Sequence, residues 1–316
     1  MAKINREDIH IISRHSNWLE ISIKNTLNQD VYNDKDAWYK FLKLFFISLG
    51  VGFTTAGIIF FFAYNWADLH KFIKIGLIEA LIIIIIGTIL VSKFQPLIKN
   101  ILLTGASVIV GVLFAVFGQI YQTGANAYDF FLGWTLFIAL WVLVSNFAPL
   151  WLVFITLINT TLILYAEQVA QNWSNLFLFT LLFGINTILL ILALAGKKFS
   201  SEIKIPKWFT NTLSIASITF CTIGICLGIF DDYQADFYLL IIPASLLYGL
   251  GIWYGLKIKS GFYLSIIPFS IIIITSALLL RLSDDFGMLL LICLFIIVSV
   301  TSVIANLFKL QKKWIN

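Results

Sequence analysis

Two stretches decide the class of this chain: Leu81-Ile82-Ile83-Ile84-Ile85-Ile86-Gly87, and the run from Ser270 to Leu280, in which Ile271-Ile272-Ile273-Ile274 and Leu278-Leu279-Leu280 stand almost back to back. Neither has the 3.6-residue amphipathic stripe of a helix lying on a soluble core, and both suit lipid or the inside of a helix bundle. Composition agrees along the whole length. Of 316 residues, 60% are hydrophobic and 12% charged, against about 25% charged in soluble domains, and the mean hydropathy is +0.96. The segments of about ten alternating residues that build a transmembrane β-barrel are missing from the pattern. The expected fold class is therefore all-α: a polytopic membrane protein.

A helix needs about 20 apolar residues to cross a hydrocarbon core about 30 Å thick. Working outward from the two runs gives ten candidate spans: 43–64, 72–91, 98–118, 129–146, 149–166, 174–196, 208–230, 237–256, 261–280 and 286–308. The fourth and fifth are divided only by Asn146-Phe147-Ala148-Pro149, where Pro149 restricts the residue before it and favours a tight re-entry. Residues 1–40 then form a short helical segment ahead of the membrane domain 41–308, and 309–316 a tail. Ten spans also divide as five plus five, the arrangement of inverted-repeat transporters, although the two halves share no residue-level pattern.

With the N-terminus inside, the inner segments hold eighteen of the 21 basic residues, leaving Lys71, Lys74 and Arg281 outside. The positive-inside rule then places both termini in the cytoplasm. The net charge of +5 resides in these short inner segments rather than in a basic stripe with interleaved aromatics, so nucleic acid is not an expected partner. Cys221, Cys226 and Cys293 lie inside apolar segments without metal-ligand or disulfide spacing, and no metal or other cofactor is implied. The first 40 residues lack an apolar region followed by a small-residue cleavage site, so no cleaved signal peptide is expected.

The amino-terminal segment carries Asn5 and Asn17 three positions ahead of Asp8 and Glu20, a capping-box spacing. Ile9, Ile12, Leu19 and Ile23 would form the apolar faces of two short helices. Seven basic and six acidic residues up to Lys43 balance nearly to zero, which argues against a polybasic lipid-binding arm.

Few polar positions in the spans ask for a role. Glu79 is the only acidic residue well inside one; such groups are costly in lipid, tend to face the bundle interior or a water-filled cavity, and are functional candidates. Asn159 lies at about the same depth in the fifth span and Asn186 deeper in the sixth, where asparagines commonly join helices by hydrogen bonds. Gly224-x-x-x-Gly228 and Gly251-x-x-x-Gly255 read as close internal helix packing. Trp173, Trp208, Tyr238 and other aromatics near span ends read as interfacial anchors. Two outer segments are richer than anchoring requires. One holds Asn65, Trp66, Asp68, His70 and, further on, Lys74; the other holds Gln119, Tyr121, Gln122, Tyr128 and Asp129, with Gly124 and Asn126 as turn residues. Their amides and aromatics suit a sugar, a peptide or a lipid headgroup.

The run Phe62-Ala63-Tyr64-Asn65-Trp66, the later Lys74, and Gly118-Gln119-Ile120-Tyr121-Gln122-Thr123-Gly124 with Tyr128 and Trp134 resemble the predicted membrane proteins grouped as Domain of Unknown Function 2157. The resemblance reaches from about residue 5 to 190. It implies a bacterial cytoplasmic (inner) membrane protein whose signature lies in the Asn-Trp and Gly-Gln-x-Tyr segments. It brings no established activity, and it leaves room for a periplasmic partner.

Three classes of function follow. A scaffold, or partner-binding protein, would present the outer loops and fits the scarcity of charge within the spans. A transporter would use Glu79 as its coupling group, with Asn159 along the route. An enzyme acting on a lipid-linked substrate would draw on Glu79, Asp68, His70 or Asp129 as acid or base; without paired carboxylates, a metal-ligand cluster or a nucleophile elbow, it is the least favoured. The expected partners are membrane lipid and a periplasmic or membrane protein.

Overall fold

The structure is a computed structural model that describes residues 6–315 except 16–17, 28–34, 65–68, 122–123, 125, 200–204, 232–235 and 284. The described elements are all helices: α1 (Arg6–His15), α2 (Glu20–Thr26), α3 (Lys35–Tyr64), α4 (Lys71–Val91), α5 (Pro96–Tyr121), α6 (Ala127–Ser145), α7 (Ala148–Gln168), α8 (Asn175–Phe199), α9 (Lys207–Phe230), α10 (Asp236–Lys257), α11 (Gly261–Leu282) and α12 (Phe286–Ile315). The ten from α3 to α12 are long and apolar enough to cross a membrane, and each overlaps one of the ten spans expected from the sequence.

The helices overrun the expected spans where charge takes over from hydrocarbon. α3 and α12 are 30 residues each, about 45 Å at 1.5 Å per residue. Their overhangs carry Lys35 and Lys40 at the start of α3 and Lys309, Lys312 and Lys313 at the end of α12. A helix keeps its own backbone hydrogen bonds on leaving the membrane, so a lipid-based reading of length ends it too early.

The two short helices ahead of α3 are present, but α2 starts later than the Asn17 spacing suggests. Leu19 is its N-cap, with extended backbone and no side-chain cap, and Glu20 is already in the first turn. Glu20 cannot be the third residue of a box counted from Asn17, and Asn5 and Asn17 themselves lie outside the described residues.

The chain divides into two compact units, Met1–Ile120 and Tyr121–Asn316. The first holds the spans α3, α4 and nearly all of α5, the second the seven that follow. In the first unit α3 meets α5 at Gly105, where an added Cβ would come 2.6 Å from Val51 Cγ1. Residues Gly105 to Ser107 and Ile109 to Gly111 form the buried side of α5, and α4 buries the stripe Lys74, Ile78 and Ile82.

The second unit is organised around α9, half of whose most apolar window is buried. Cys221, Ile225 and Ile229 of α9 pack in one core with Leu176 and Phe183 of α8, Phe237, Leu240 and Tyr248 of α10, and Ile267 of α11. Phe209 and Leu213, at the start of α9, pack with Ile155 of α7 and Ala193 of α8. Lipid tails are as apolar as leucine, so close fit rather than water exclusion holds such a bundle. Both glycine pairs lie at these crossings. A Cβ at Gly224 would meet Leu240 Cδ2 at 2.8 Å and Phe179 Cβ at 3.0 Å, one at Gly228 would overlap the Phe237 ring, and one at Gly255 would meet Leu264 Cγ at 3.1 Å.

The α6–α7 hairpin turns through two linking residues, Asn146 and Phe147. Asn146 caps α6 in the left-handed region, at φ 45° and ψ 40°, a conformation that asparagine tolerates better than most residues. Pro149 follows in the first turn of α7, where its missing N–H costs no hydrogen bond.

Arg281 has a structural use. From the last turn of α11 it donates to the carbonyl of Ile229, and at 3.5 Å to that of Asp231, both at the end of α9. A cation there satisfies orphan carbonyls and complements the helix dipole. Arg281→Gln is expected to lower stability by about 1 kcal/mol in thermal unfolding of the detergent-solubilised protein, and Arg281→Lys by less. No loss in either variant would remove this role.

Candidate functional site

The best-formed polar and aromatic cluster among the described residues lies where α6 begins and α7 ends. The tight turn at Asn146 makes α6 and α7 an antiparallel pair, so residues nearly equidistant from it stand level. Tyr128, 18 residues before, meets Tyr165, 19 after. Their rings pack edge to face at 5.2 Å. Tyr165 continues to Trp173 at 5.4 Å and Trp173 to Phe177 at 5.0 Å, both edge to face. Four aromatic rings thus run across three helix ends.

Backbone geometry holds this chain of rings. The Tyr128 N–H donates to Gln168 Oε1 at 3.1 Å, tying the start of α6 to the end of α7. The Asn126 N–H donates to the Asp129 carboxylate at 3.2 Å, half of a capping box that closes the first turn of α6. Gly124 takes φ +67°, as its turn reading expects. Beside Trp173, Ser174 Oγ accepts from the Phe177 N–H at 3.1 Å and caps α8. A cavity of about 170 Å³ opens here, lined among others by Glu167, Trp173, Ser174 and Asn175. Glu167 is exposed. Phe177 is exposed and the other three rings are half-buried, so the chain of rings reaches the surface beside the exposed Glu167 carboxylate.

The other residues singled out in the sequence fall elsewhere. In the first unit, Glu79 is exposed, off the buried stripe of α4, whereas Lys74 is buried at 6% exposure. The sequence suggested the opposite emphasis; α4 turns Lys74, Ile78 and Ile82 to its packed side at intervals of four, and Glu79 lies a step of about 100° round the helix from Ile78. His70 is the N-cap of α4, exposed, its carbonyl accepting from the Ile73 and Lys74 N–H groups at 2.9 and 3.1 Å. Gln119 is exposed in the last turn of α5. Tyr121, assigned to the second unit, ends α5 and is 43% exposed. Asn65, Trp66, Asp68 and Gln122 lie outside the described residues.

Asn159 does not join the aromatic cluster. Its Nδ2 donates to Asn186 Oδ1 at 3.2 Å, and Asn186 Nδ2 returns a bond to Asn159 Oδ1 at 2.8 Å and another to the Leu182 carbonyl at 2.8 Å. Asn186 is fully buried. The pattern of closed neutral pairs continues through the unit. Thr187 and Ser217 hydroxyls lie 2.6 Å apart, and Ser270 joins Thr222 and Tyr248 at 2.6 Å each. Among the described residues of the second unit, every buried polar side chain is neutral. These bonds join α7 to α8, α8 to α9, and α9 and α10 to α11, as glue between helices.

The sequence reading missed Tyr165, Glu167 and Gln168 and took Trp173 for an anchor. The available signal was the hairpin itself: once Asn146 to Pro149 is a tight turn, whatever stands level with Tyr128 on the fifth span is its neighbour.

Ten membrane-length helices among the described residues, three in the first unit and seven in the second, define a polytopic α-helical membrane protein. Over residues 17–151 the chain matches the family described as Predicted membrane protein (DUF2157). That stretch lies inside the reach expected from the Asn-Trp and Gly-Gln-x-Tyr motifs, contains both, and stops before Tyr165. No curated protein and no solved structure matches the chain.

Proposed function

We propose that this protein is a partner-binding scaffold of the bacterial cytoplasmic membrane, with both termini in the cytoplasm and the Tyr128, Tyr165, Trp173 and Phe177 face turned outward to a periplasmic or membrane protein. The observation that carries the reading is the ring chain itself, bridging three helix ends and held by backbone bonds before any partner arrives. Tyr and Trp supply rigid contact area at low entropic cost and are enriched where proteins bind each other. The neutral, mutually satisfied interior of the second unit supports the same reading, since a route for an ion or polar solute needs groups left open to receive it. The lysine distribution supports the orientation: eighteen of 21 basic residues fall on the side assigned to the cytoplasm.

Two experiments test this. A cysteine replacing Asn126 is expected to react with a membrane-impermeant thiol reagent in intact cells, and one replacing Lys198 only after lysis; the reverse result contradicts the orientation. In protein purified gently from native membranes, a polypeptide present at stoichiometric level is expected by mass spectrometry, lost with Trp173→Ala and kept with Trp208→Ala. Loss of a small molecule in place of a polypeptide would turn the site into a ligand pocket, and equal recovery in both variants would refute it.

A further inference from the structure

A second cavity, of about 260 Å³, lies at the lysine-rich end of the second unit, between α7, α8 and the start of α9. Its walls include Trp151, Ile155, Ala193 and Phe209, which are apolar. Asn146 and Pro206 supply its lining at the helix ends. Leu192 also lines it and is 61% exposed, so the cavity opens sideways onto the outer surface of the helices. It therefore joins an apolar interior to a lateral opening beside the start of α9.

The sequence leading into α9 is rich in lysine. Pro206 is followed by Lys207 and Trp208, both exposed on the first turn of α9. The connection from Lys197 to Lys207 carries four lysines against the single Glu202. A lysine in the first turn of a helix stands against the helix dipole, and a nearby anion offsets that unfavourable interaction. Basic positions beside a crevice between transmembrane helices are the arrangement that holds anionic lipid headgroups, and an exposed Trp at the same level suits the interface.

We propose that this cavity binds an anionic glycerophospholipid, one acyl chain lying against Trp151, Ile155 and Phe209 and the phosphate beside Lys207. The site is separate from the aromatic cluster and does not depend on which side of the membrane the lysine-rich end faces. The acyl chain supplies affinity by filling apolar space, and the headgroup charge selects among lipids. A free phosphate offers only the second of these, so it should not compete.

The full-length protein in mixed micelles containing equal amounts of phosphatidylglycerol and phosphatidylcholine with identical chains, followed by native mass spectrometry, tests the proposal. One phosphatidylglycerol is expected to be retained in preference to phosphatidylcholine. Lys207→Gln should weaken that preference roughly fivefold, the effect of one basic residue at an anionic membrane surface, while Lys309→Gln, an exposed position on α12 with the same charge change, should not. Gly196→Phe should remove retention of both lipids, because Gly196 lines the cavity and a Cβ there meets only Ile205 Cδ1, at 3.8 Å. Equal retention of the two lipids, an unchanged preference in Lys207→Gln, or displacement of the lipid by millimolar inorganic phosphate would each overturn it. Lys207 is exposed, so its variant keeps the test decisive even where Gly196→Phe fails to fold.

Discussion

Gly228→Leu is expected to produce the largest loss of stability of any single substitution on α9. A Cβ at Gly228 would overlap the Phe237 ring of α10 and come 3.3 Å from Leu176 Cδ1 of α8, and Phe237 and Leu176 are themselves core residues. Neither neighbour is the loose end of a surface chain, so the helices must separate or the ring must leave its rotamer. Overpacking of this kind costs about 1–3 kcal/mol in soluble cores, occasionally more, and in a bundle held by close fit the lost contacts are not regained from lipid. Gly249→Leu on α10 is the control, because nothing lies within 4 Å of a Cβ there. Thermal unfolding in detergent should show a marked loss for the first and almost none for the second; equal effects would mean that the α8–α9–α10 crossing does not depend on the glycine.

The second large effect concerns the asparagine pair. Asn186→Leu should cost about 1–2 kcal/mol, since it leaves the Asn159 amide without its two reciprocal bonds in a place with little water to replace them. Asn159→Leu should cost less, because Asn186 Nδ2 keeps the Leu182 carbonyl. The double variant should recover part of the sum, leaving a coupling of about 0.6–1.7 kcal/mol, the range found for such bonds within membranes. Strict additivity in the double-mutant cycle would show that the two amides do not act as a pair. A transport role for Asn159 predicts something else: loss of activity in Asn159→Leu with stability unchanged.

The number of crossings was legible from the sequence because the constraint is severe. Every backbone group in lipid must be bonded within its own helix, so runs such as Ile82 to Ile86 admit one interpretation. The hairpin at Asn146 and the close packing at Gly224 and Gly255 were legible for similar reasons, because small or positive-φ residues have few alternative uses. Positions governed by rotation about a helix axis were not. Glu79 and Lys74 are five residues apart and occupy opposite situations, exposed and buried, and hydropathy assigns neither a direction when all sides of α4 are apolar. The aromatic cluster was half legible: Tyr128 and Asp129 stood in a motif, but Tyr165 and Gln168 gain meaning only from the level at which α7 ends. Asp129, considered as an acid or base, proves to be bonded to the Asn126 N–H, a use that a turn-proximal carboxylate often has.

Cross-linking from the ring chain tests the central claim most directly. A photoactivatable phenylalanine analogue in place of Trp173, expressed in cells and irradiated, is predicted to give a single discrete adduct with one polypeptide, abolished by Tyr165→Ala, whereas the same analogue at Trp208 gives none with that polypeptide. Adducts only with lipid at position 173, or the same polypeptide captured equally from position 208, would contradict the assignment of this face as the partner surface.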